Sequence, residues 1–564
     1  MMKFGNYFLV AICTFVWIGC GENKKETTDS SITSEVEIEN SKTSHFDWEG
    51  ANIYFLLTDR FHNGDTSNDV NFNRTNETAV LRGFEGGDIK GVTQKIKEGY
   101  FNDLGVNAIW MTPIVEQIHD GVDEGTGYTY GYHGYWTKDW TTLDPNFGTE
   151  EDLSELVTTA HENGIRILLD AVINHHGPQT EIDGVWPEEW VRTSPTCDFQ
   201  TYETTTKCTL VDNLPDVLTE SNEAVALPPQ LEQKWKAEGR YDEEMAELDA
   251  FFEKTGHPRA PRFYIMKWLA DYITDYGIDG YRVDTVKHTE EYVWEEFEDV
   301  CETAFNDWKT ANPTLTLDES PFYLVGEIYF YNINNGKEYD FGDRKVNYFN
   351  DSFDALINFD LRGTADQSLE AVFSRYSDIL HGELDGFSTL SYVSSHDDGD
   401  PYDKSREKTY ESAVRLLLAP GASQIYYGDE VGRSLIIEGT QGDATLRSSM
   451  NWESIATDQE AQKLLAHWQK LGQFRNNHMA VGAGVHAMIQ ETPYTFSRMY
   501  SSDAYEDKVV VSLDNPNDKV ISTGNVFQDG TQLRDAYSGQ TVEVKEGRVS
   551  FSSEYDIVLL EPIK

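Results

Sequence analysis

Three apolar runs of this chain end in acids. "GYRVD" closes on Asp284, "FYLVGE" closes on Glu327, and "SYVSSHDD" carries His396 and Asp397. Alternate residues of an extended strand share a side, so Gly280, Arg282 and Asp284 fall on one face and Tyr281 and Val283 on the other. Arg282 would then stabilise the neighbouring Asp284 carboxylate. Three acids gathered at one end of a sheet crowd like charges, which raises the pKa of one and leaves another ionised. Glycosidic bond cleavage asks for that pair, one carboxylate as nucleophile and one protonated acid for the leaving oxygen. One such strand could equally hold a structural Arg–Asp pair, but recurrence on three strands favours a chemical role. Asp279 has the opposite parity and reads as a structural acid at the start of its strand.

Positioning these groups requires a rigid scaffold. Eight short apolar runs recur along the chain, near residues 51, 107, 165, 280, 322, 354, 389 and 423. Between them lie segments such as "SELVTTAHENG" and "RFYIMKWLADYITDYG", whose apolar residues recur at helical spacing and which end in glycine. Alternating strands and helices predict an α/β fold with a parallel sheet, most simply a closed (β/α)8 TIM barrel. An open doubly wound sheet is the alternative. The catalytic unit is expected over 46–480. It is interrupted after strand 3 by an inserted domain at 177–260, because that connection is far longer than an ordinary βα loop. From 481 to 564 the pattern changes to alternating segments with Asn, Gly and Asp turns, which predict a C-terminal antiparallel β-sandwich.

Composition narrows the ligand class. The 564 residues hold 45 Lys plus Arg against 98 Asp plus Glu, a net charge of −53, which repels nucleic acid and anionic membrane surfaces. A neutral or cationic ligand is favoured. Aromatic residues make up 13% of the chain, and their amphipathic rings suit either a packed core or the CH faces of a sugar. The first residues show one Lys, an apolar run too short to span a bilayer, and then a polar tail, the form of an export signal over 1–19. "WIGC" resembles a bacterial lipoprotein box with Cys20 as the lipid-bearing residue, and 20–45 reads as a disordered tether. The expectation is an exported outer-membrane lipoprotein, facing periplasm or cell surface, with no other membrane contact and a monomeric state. A plain secretory signal is the alternative. Cys197 and Cys208, closely spaced in a Thr-rich stretch, are expected to pair as a disulfide, and Cys301 stands alone.

"DAVINHH", "GYRVDTVKH", "LVGE" and "SSHD", in this order, resemble the conserved regions of the α-amylase family, glycoside hydrolase family 13, and "YGYHGYW", "LPD" and "PGASQIYYGDE" extend the likeness over roughly 50–480. "LPDVLTES" followed by "ALPP" looks most like the periplasmic enzymes of Gram-negative bacteria. The resemblance implies Asp284 as nucleophile, Glu327 as general acid/base and Asp397 as the acid that binds and distorts the sugar. It implies substrate contacts from Arg282, His175, His396, His133 and Lys287, with Tyr135 stacking on a sugar face. Retention of configuration would place the two reacting carboxylates about 5 to 5.5 Å apart. Ser395 departs from the family, which usually has Asn there.

The expected cofactor is calcium. "TDRFHNGDTSND" clusters the oxygen-bearing side chains of Asn63, Asp65, Asn68 and Asp69 round a glycine turn, and oxygen donors suit that ion. An ion-free Asx turn is the alternative. The resemblance adds the Gly86 carbonyl and Asp88 to this site. It also implies a second site, formed by Asn174, Asp216 and the His288 carbonyl, between barrel and insertion. His175 and His176 as transition-metal ligands is disfavoured, because adjacent side chains diverge and no third soft ligand is apparent. The leading expectation is retaining endo-hydrolysis of α-1,4-glucans. The alternatives are a glucanotransferase or an exo- or α-1,6-acting glucosidase of the same family, and a glycan-binding lipoprotein without catalysis.

Overall fold

The computed structural model describes residues 46–350, 352–502 and 505–563. The expected signal, the tether and Cys20 lie outside the described residues. All eight apolar runs form strands: β1 (Asn52–Leu56), β2 (Ala108–Met111), β3 (Arg166–Ala171), β4 (Gly280–Val283), β5 (Tyr323–Gly326), β6 (Ala355–Asn358), β7 (Ser388–Tyr392) and β8 (Ala422–Tyr426). Each pairs in parallel with its sequence neighbours, and β8 returns to β1, closing the barrel. The open-sheet alternative is thereby excluded.

Local sequence explains the elements that carry the site. The helix before β4 spans Pro261–Tyr276, with proline in its first turn and Gly277 ending it in a left-handed conformation at φ 75°. Proline lacks an N–H that this position does not need, and glycine adopts the left-handed cap without steric cost. The helix over Glu150–Glu162 opens on a reciprocal capping box between Thr149 and Asp152, which satisfies two otherwise orphaned amides. On β4, Tyr281 is buried against the helices, and its hydroxyl donates to the Leu269 carbonyl at 2.7 Å. Asp279 accepts from Ile167 N–H at 2.8 Å and contacts His161 at 2.9 Å, the structural role its parity suggested.

The long connection between β3 and the helix at Pro261 contains a short antiparallel pair, Val191–Arg192 with Asp216–Val217, and helices at Pro229–Glu238 and Tyr241–Thr255. Buried tryptophans weld it to the barrel: the rings of Trp190 and Trp268 lie parallel at 6.4 Å, and Trp140 meets Trp186 edge-on at 5.4 Å. Cys197 and Cys208 are joined in a disulfide, while Cys301 is buried and free. The C-terminal strands β9 (Val485–Gln490), β10 (Tyr494–Ser501), β11 (Glu506–Leu513), β12 (Asp518–Ser522), β13 (Gln532–Asp535), β14 (Thr541–Glu543), β15 (Arg548–Ser552) and β16 (Val558–Pro562) form two antiparallel sheets. Their orders are β9-β10-β11-β16-β13-β14 and β12-β15. Val510, Ile521, Leu533, Val549 and Leu560 fill the space between them.

Candidate active site

The C-terminal ends of β3, β4, β5 and β7 converge on Arg282. Parallel register sets Arg282 beside Asp170 of β3 and Val325 of β5. Its Nη1 donates to Asp170 Oδ1 at 2.9 Å and to Asp284 Oδ1 at 2.8 Å, while Nη2 pairs with Glu327 Oε2 at 3.0 Å. One guanidinium, only 1% exposed, thus faces three carboxylates from three adjacent strands. A buried cluster of one cation and three anions is costly, and retaining a proton on one acid relieves it.

The proton belongs on Glu327. Burial pushes its carboxyl up to about 8; Asp284 and Asp397 add to the rise, and Arg282 and the Thr285 N–H oppose it. Burial also raises Asp170, to about 7. However, Asp170 accepts from Arg282, from the Tyr135 hydroxyl at 2.9 Å and from Trp110 Nε1 at 3.2 Å, and every one of these donors favours the anion. Glu327 is held by its Arg282 contact and by Thr285 N–H at 3.1 Å. Asp397, on the loop after β7, is raised by burial, against the attraction of Arg282 and Arg447 and a hydrogen bond from Ser395. That bond, Ser395 Oγ to Asp397 Oδ1 at 3.2 Å, is what the residue in place of the usual asparagine supplies.

Asp284, Glu327 and Asp397 open into a cleft of about 670 Å3 lined also by His133, Tyr135, His175, Lys287 and His396. Burial lowers the pKa of all three histidines, so each is a neutral hydrogen-bonding group. Tyr135 is near-parallel to His133 and His396, at 5.8 and 5.5 Å. Burial lowers Lys287 as well, against the opposing pull of Glu327, and its Nζ donates to the Tyr329 carbonyl at 3.1 Å. The cleft therefore gathers every residue expected to touch substrate except Arg282, which lies beneath it. Asp170, Asp443 and Arg447 were not anticipated as site residues. Arg447 Nε donates to the His396 carbonyl at 2.9 Å. Asp170 had a legible signal, an acid set within the apolar run "IRILLDAV"; Arg447 had none.

The calcium expectations meet this donor chemistry unevenly. Among the described residues no three His, Cys, Asp or Glu side chains are grouped to hold a metal, so a cation would rest largely on amide and backbone oxygens. Between barrel and insertion, Asp216 Oδ1 is buried without a hydrogen-bond partner, while its other oxygen pairs with Arg192 at 2.8 Å. Asn174 Oδ1 meets only the Thr289 hydroxyl at 3.3 Å. This all-oxygen set, with an orphaned carboxylate oxygen, fits a hard cation. In the turn, Asn63 Oδ1 and Asn68 Oδ1 are buried without partners, and Asn63 Nδ2 donates to Asp69 at 2.8 Å. Gly86, at φ 90°, closes against them, since a Cβ there would lie 2.7 Å from Asp69 Oδ1. Asp65 and Asp88 are engaged elsewhere: Asp65 pairs with Lys90, and Asp88 accepts from the Gly64, Asp65 and Gly91 amides as a helix cap. His175 and His176 diverge, His175 toward the Tyr135 carbonyl and His176 toward that of Gly177.

Comparison with known proteins agrees with this geometry. The family model "Alpha amylase, catalytic domain" matches residues 55–484. The periplasmic alpha-amylase of Escherichia coli (strain K12) is 35% identical over 84% of this chain and 73% of its own length. A cyclomaltodextrin glucanotransferase of Geobacillus stearothermophilus is 25% identical over 87% of this chain and 64% of its own. Among solved structures, the alpha-amylase of Geobacillus thermoleovorans complexed with acarbose superposes with a TM-score of 0.63 at 22% identity, covering 92% of this chain and 100% of that one.

Proposed function

This chain belongs to the α-amylase family and is a glycoside hydrolase, and from that premise we propose that it cleaves internal α-1,4-glucosidic bonds of starch or maltodextrins with retention of configuration. The observation that carries the reading is the Arg282 cluster, in which Glu327 keeps a proton near neutral pH while Arg282 holds Asp284 by one oxygen. Asp284 Oδ2 would attack the anomeric carbon as Glu327 protonates the departing oxygen, forming a glycosyl ester. Water would then attack that carbon, giving its proton to the Glu327 carboxylate as the ester bond breaks. Asp397, with neutral His175 and His396, would bind the hydroxyls of the reacting sugar, Tyr135 would stack on its face, and His133 and Lys287 would contact the chain on either side.

Calcium, held by Asn174, Asp216 and the His288 carbonyl, would fix the insertion against the barrel, and a second ion would rest on Asn63, Asn68, Asp69 and the Gly86 carbonyl. We further propose export on the 1–19 signal with anchoring at Cys20, a catalytic unit over 46–480 interrupted at 177–260, and a separate unit over 481–564. The periplasmic description of the Escherichia coli relative supports export. The test is the early product of maltoheptaose digestion followed by NMR. Release of α-anomers, abolished in Asp284→Asn, is expected. β-Anomers, an Asp284→Asn variant equal to the parent, or transfer to an added acceptor sugar as the main reaction would overturn it.

A further inference from the structure

A crosslinked loop of the insertion forms part of the cleft wall. The disulfide joins Cys197 to Cys208, eleven residues on, and Phe199 inside the loop and Val211 just beyond it line the same cleft as Asp284 and Glu327. Phe199 is 52% exposed and sits at φ 56°, a left-handed conformation that bulky residues keep only where their surroundings impose it.

The surroundings are identifiable. The loop's neck is pinned by Thr209 N–H to the Pro195 carbonyl at 2.8 Å and Cys197 N–H to the Thr209 carbonyl at 2.9 Å. Its far side is held by Tyr202 N–H to Asp343 at 2.8 Å. The Thr205 carbonyl meets His288 Nδ1 at 3.0 Å, and the Phe199 ring stands edge-on to His288 at 5.6 Å. His288 ends the short segment that begins at Thr285, whose N–H donates to Glu327. Phe199 is thus tied through His288 to the segment whose Thr285 N–H holds Glu327, the acid that would protonate the departing oxygen. Phe330 repeats the pattern, 59% exposed at φ 70°.

We infer that the Cys197–Cys208 disulfide is a positioning device, holding Phe199 and Val211 as an apolar platform for the glucose rings on the departing side of the scissile bond. The inference rests on the hydrolase reading above. A phenyl face offers a sugar's CH surface an apolar partner, and a crosslink closing so short a loop removes the conformations by which Phe199 would relax. Severing it leaves the acids in place and loosens one binding surface, so the expected effect is on KM and product length.

The test compares wild type with Cys197→Ser/Cys208→Ser and with Phe199→Ala, on maltoheptaose and on α-maltosyl fluoride, whose small leaving group occupies no sugar site on the departing side. Both variants should raise KM for maltoheptaose about 3–10-fold, shift the product lengths, and leave kcat and fluoride hydrolysis unchanged. Reduction of the native wild type with dithiothreitol should reproduce the effect, and gives the comparison even where the double variant fails to fold. An unchanged KM and product pattern in Phe199→Ala and in the reduced protein, or an equal loss on the fluoride, overturns the inference. A wild type inert on both substrates overturns the hydrolase reading and this inference with it, whereas a wild type active on both isolates the failure to the loop.

Discussion

Two buried clusters in this protein set acids around a cation, and they behave in opposite ways. At the mouth of the barrel, Arg282 faces Asp170, Asp284 and Glu327. At the junction of the barrel with the C-terminal sheets, His478 lies between Asp507 at 2.9 Å and Glu561 at 2.7 Å. In the second cluster burial disfavours every charge, but the hydrogen bonds outweigh it: His478 is raised, and Asp507 and Glu561 are both lowered. Each acid there has a well-placed donor, since Ala480 N–H and Arg534 complete the set. At Arg282 three acids share one buried guanidinium, and burial, with the neighbouring Asp284 and Asp397, outweighs the donors on Glu327 and pushes it up to about 8. Two cations for two acids at the junction, against one cation for three at the barrel mouth, separate a structural clamp from a cluster that retains a proton.

The strongest way to break the comparison is to remove the shared cation. Arg282→Leu would leave three buried acids uncompensated, so we expect a stability loss of about 3–5 kcal/mol with undetectable starch hydrolysis, read by denaturant unfolding and a reducing-sugar assay. A folded, active Arg282→Leu protein would contradict the account of the cluster. Removing calcium should act next most strongly. Excess chelator should lower the melting temperature and activity together, because Asp216 Oδ1 and the two asparagine oxygens would lose their cation. Unchanged melting and activity would remove both proposed sites.

His478→Ala should have a smaller effect, on stability alone. The raised imidazole contributes fully below its unfolded pKa, and the contribution fades as pH rises through the folded value. Asp507 and Glu561, lowered in the fold, contribute above their unfolded pKa and lose it as pH falls. The variant should therefore lose most in mildly acidic solution and progressively less toward alkaline pH, with kcat unchanged. Melting curves across pH check this, and a pH-independent loss would show that packing, not charge, holds the junction.

The barrel was legible because buried parallel strands read as uninterrupted apolar runs, and all eight runs became strands. Arg282 and Asp284 were legible because strand parity fixes which side chains share a face. Asp170 was overlooked because it lies inside β3, next to the last residue, and its importance lies in the cross-strand register that sets it beside Arg282, which a single strand does not reveal. Arg447 and Phe199 were invisible for a different reason: each reaches the cleft from an irregular loop whose path depends on tertiary contacts and, for Phe199, on a disulfide. Asp65 reads as a metal ligand from its oxygen-rich turn and Asp88 from the family resemblance, and in the fold a lysine and backbone amides engage their oxygens, since local hydrogen bonds compete with an ion for them.

The central claim is that Glu327 stores the proton delivered to the leaving group, and the pH dependence of kcat/KM tests it most directly. On maltoheptaose the rate should fall as pH rises through about 8, the value to which burial and its neighbours push Glu327. On α-maltosyl fluoride, whose departure needs no acid, kcat/KM should pass through the same range without that fall. The same alkaline limb on both substrates, or none on either, would contradict the account.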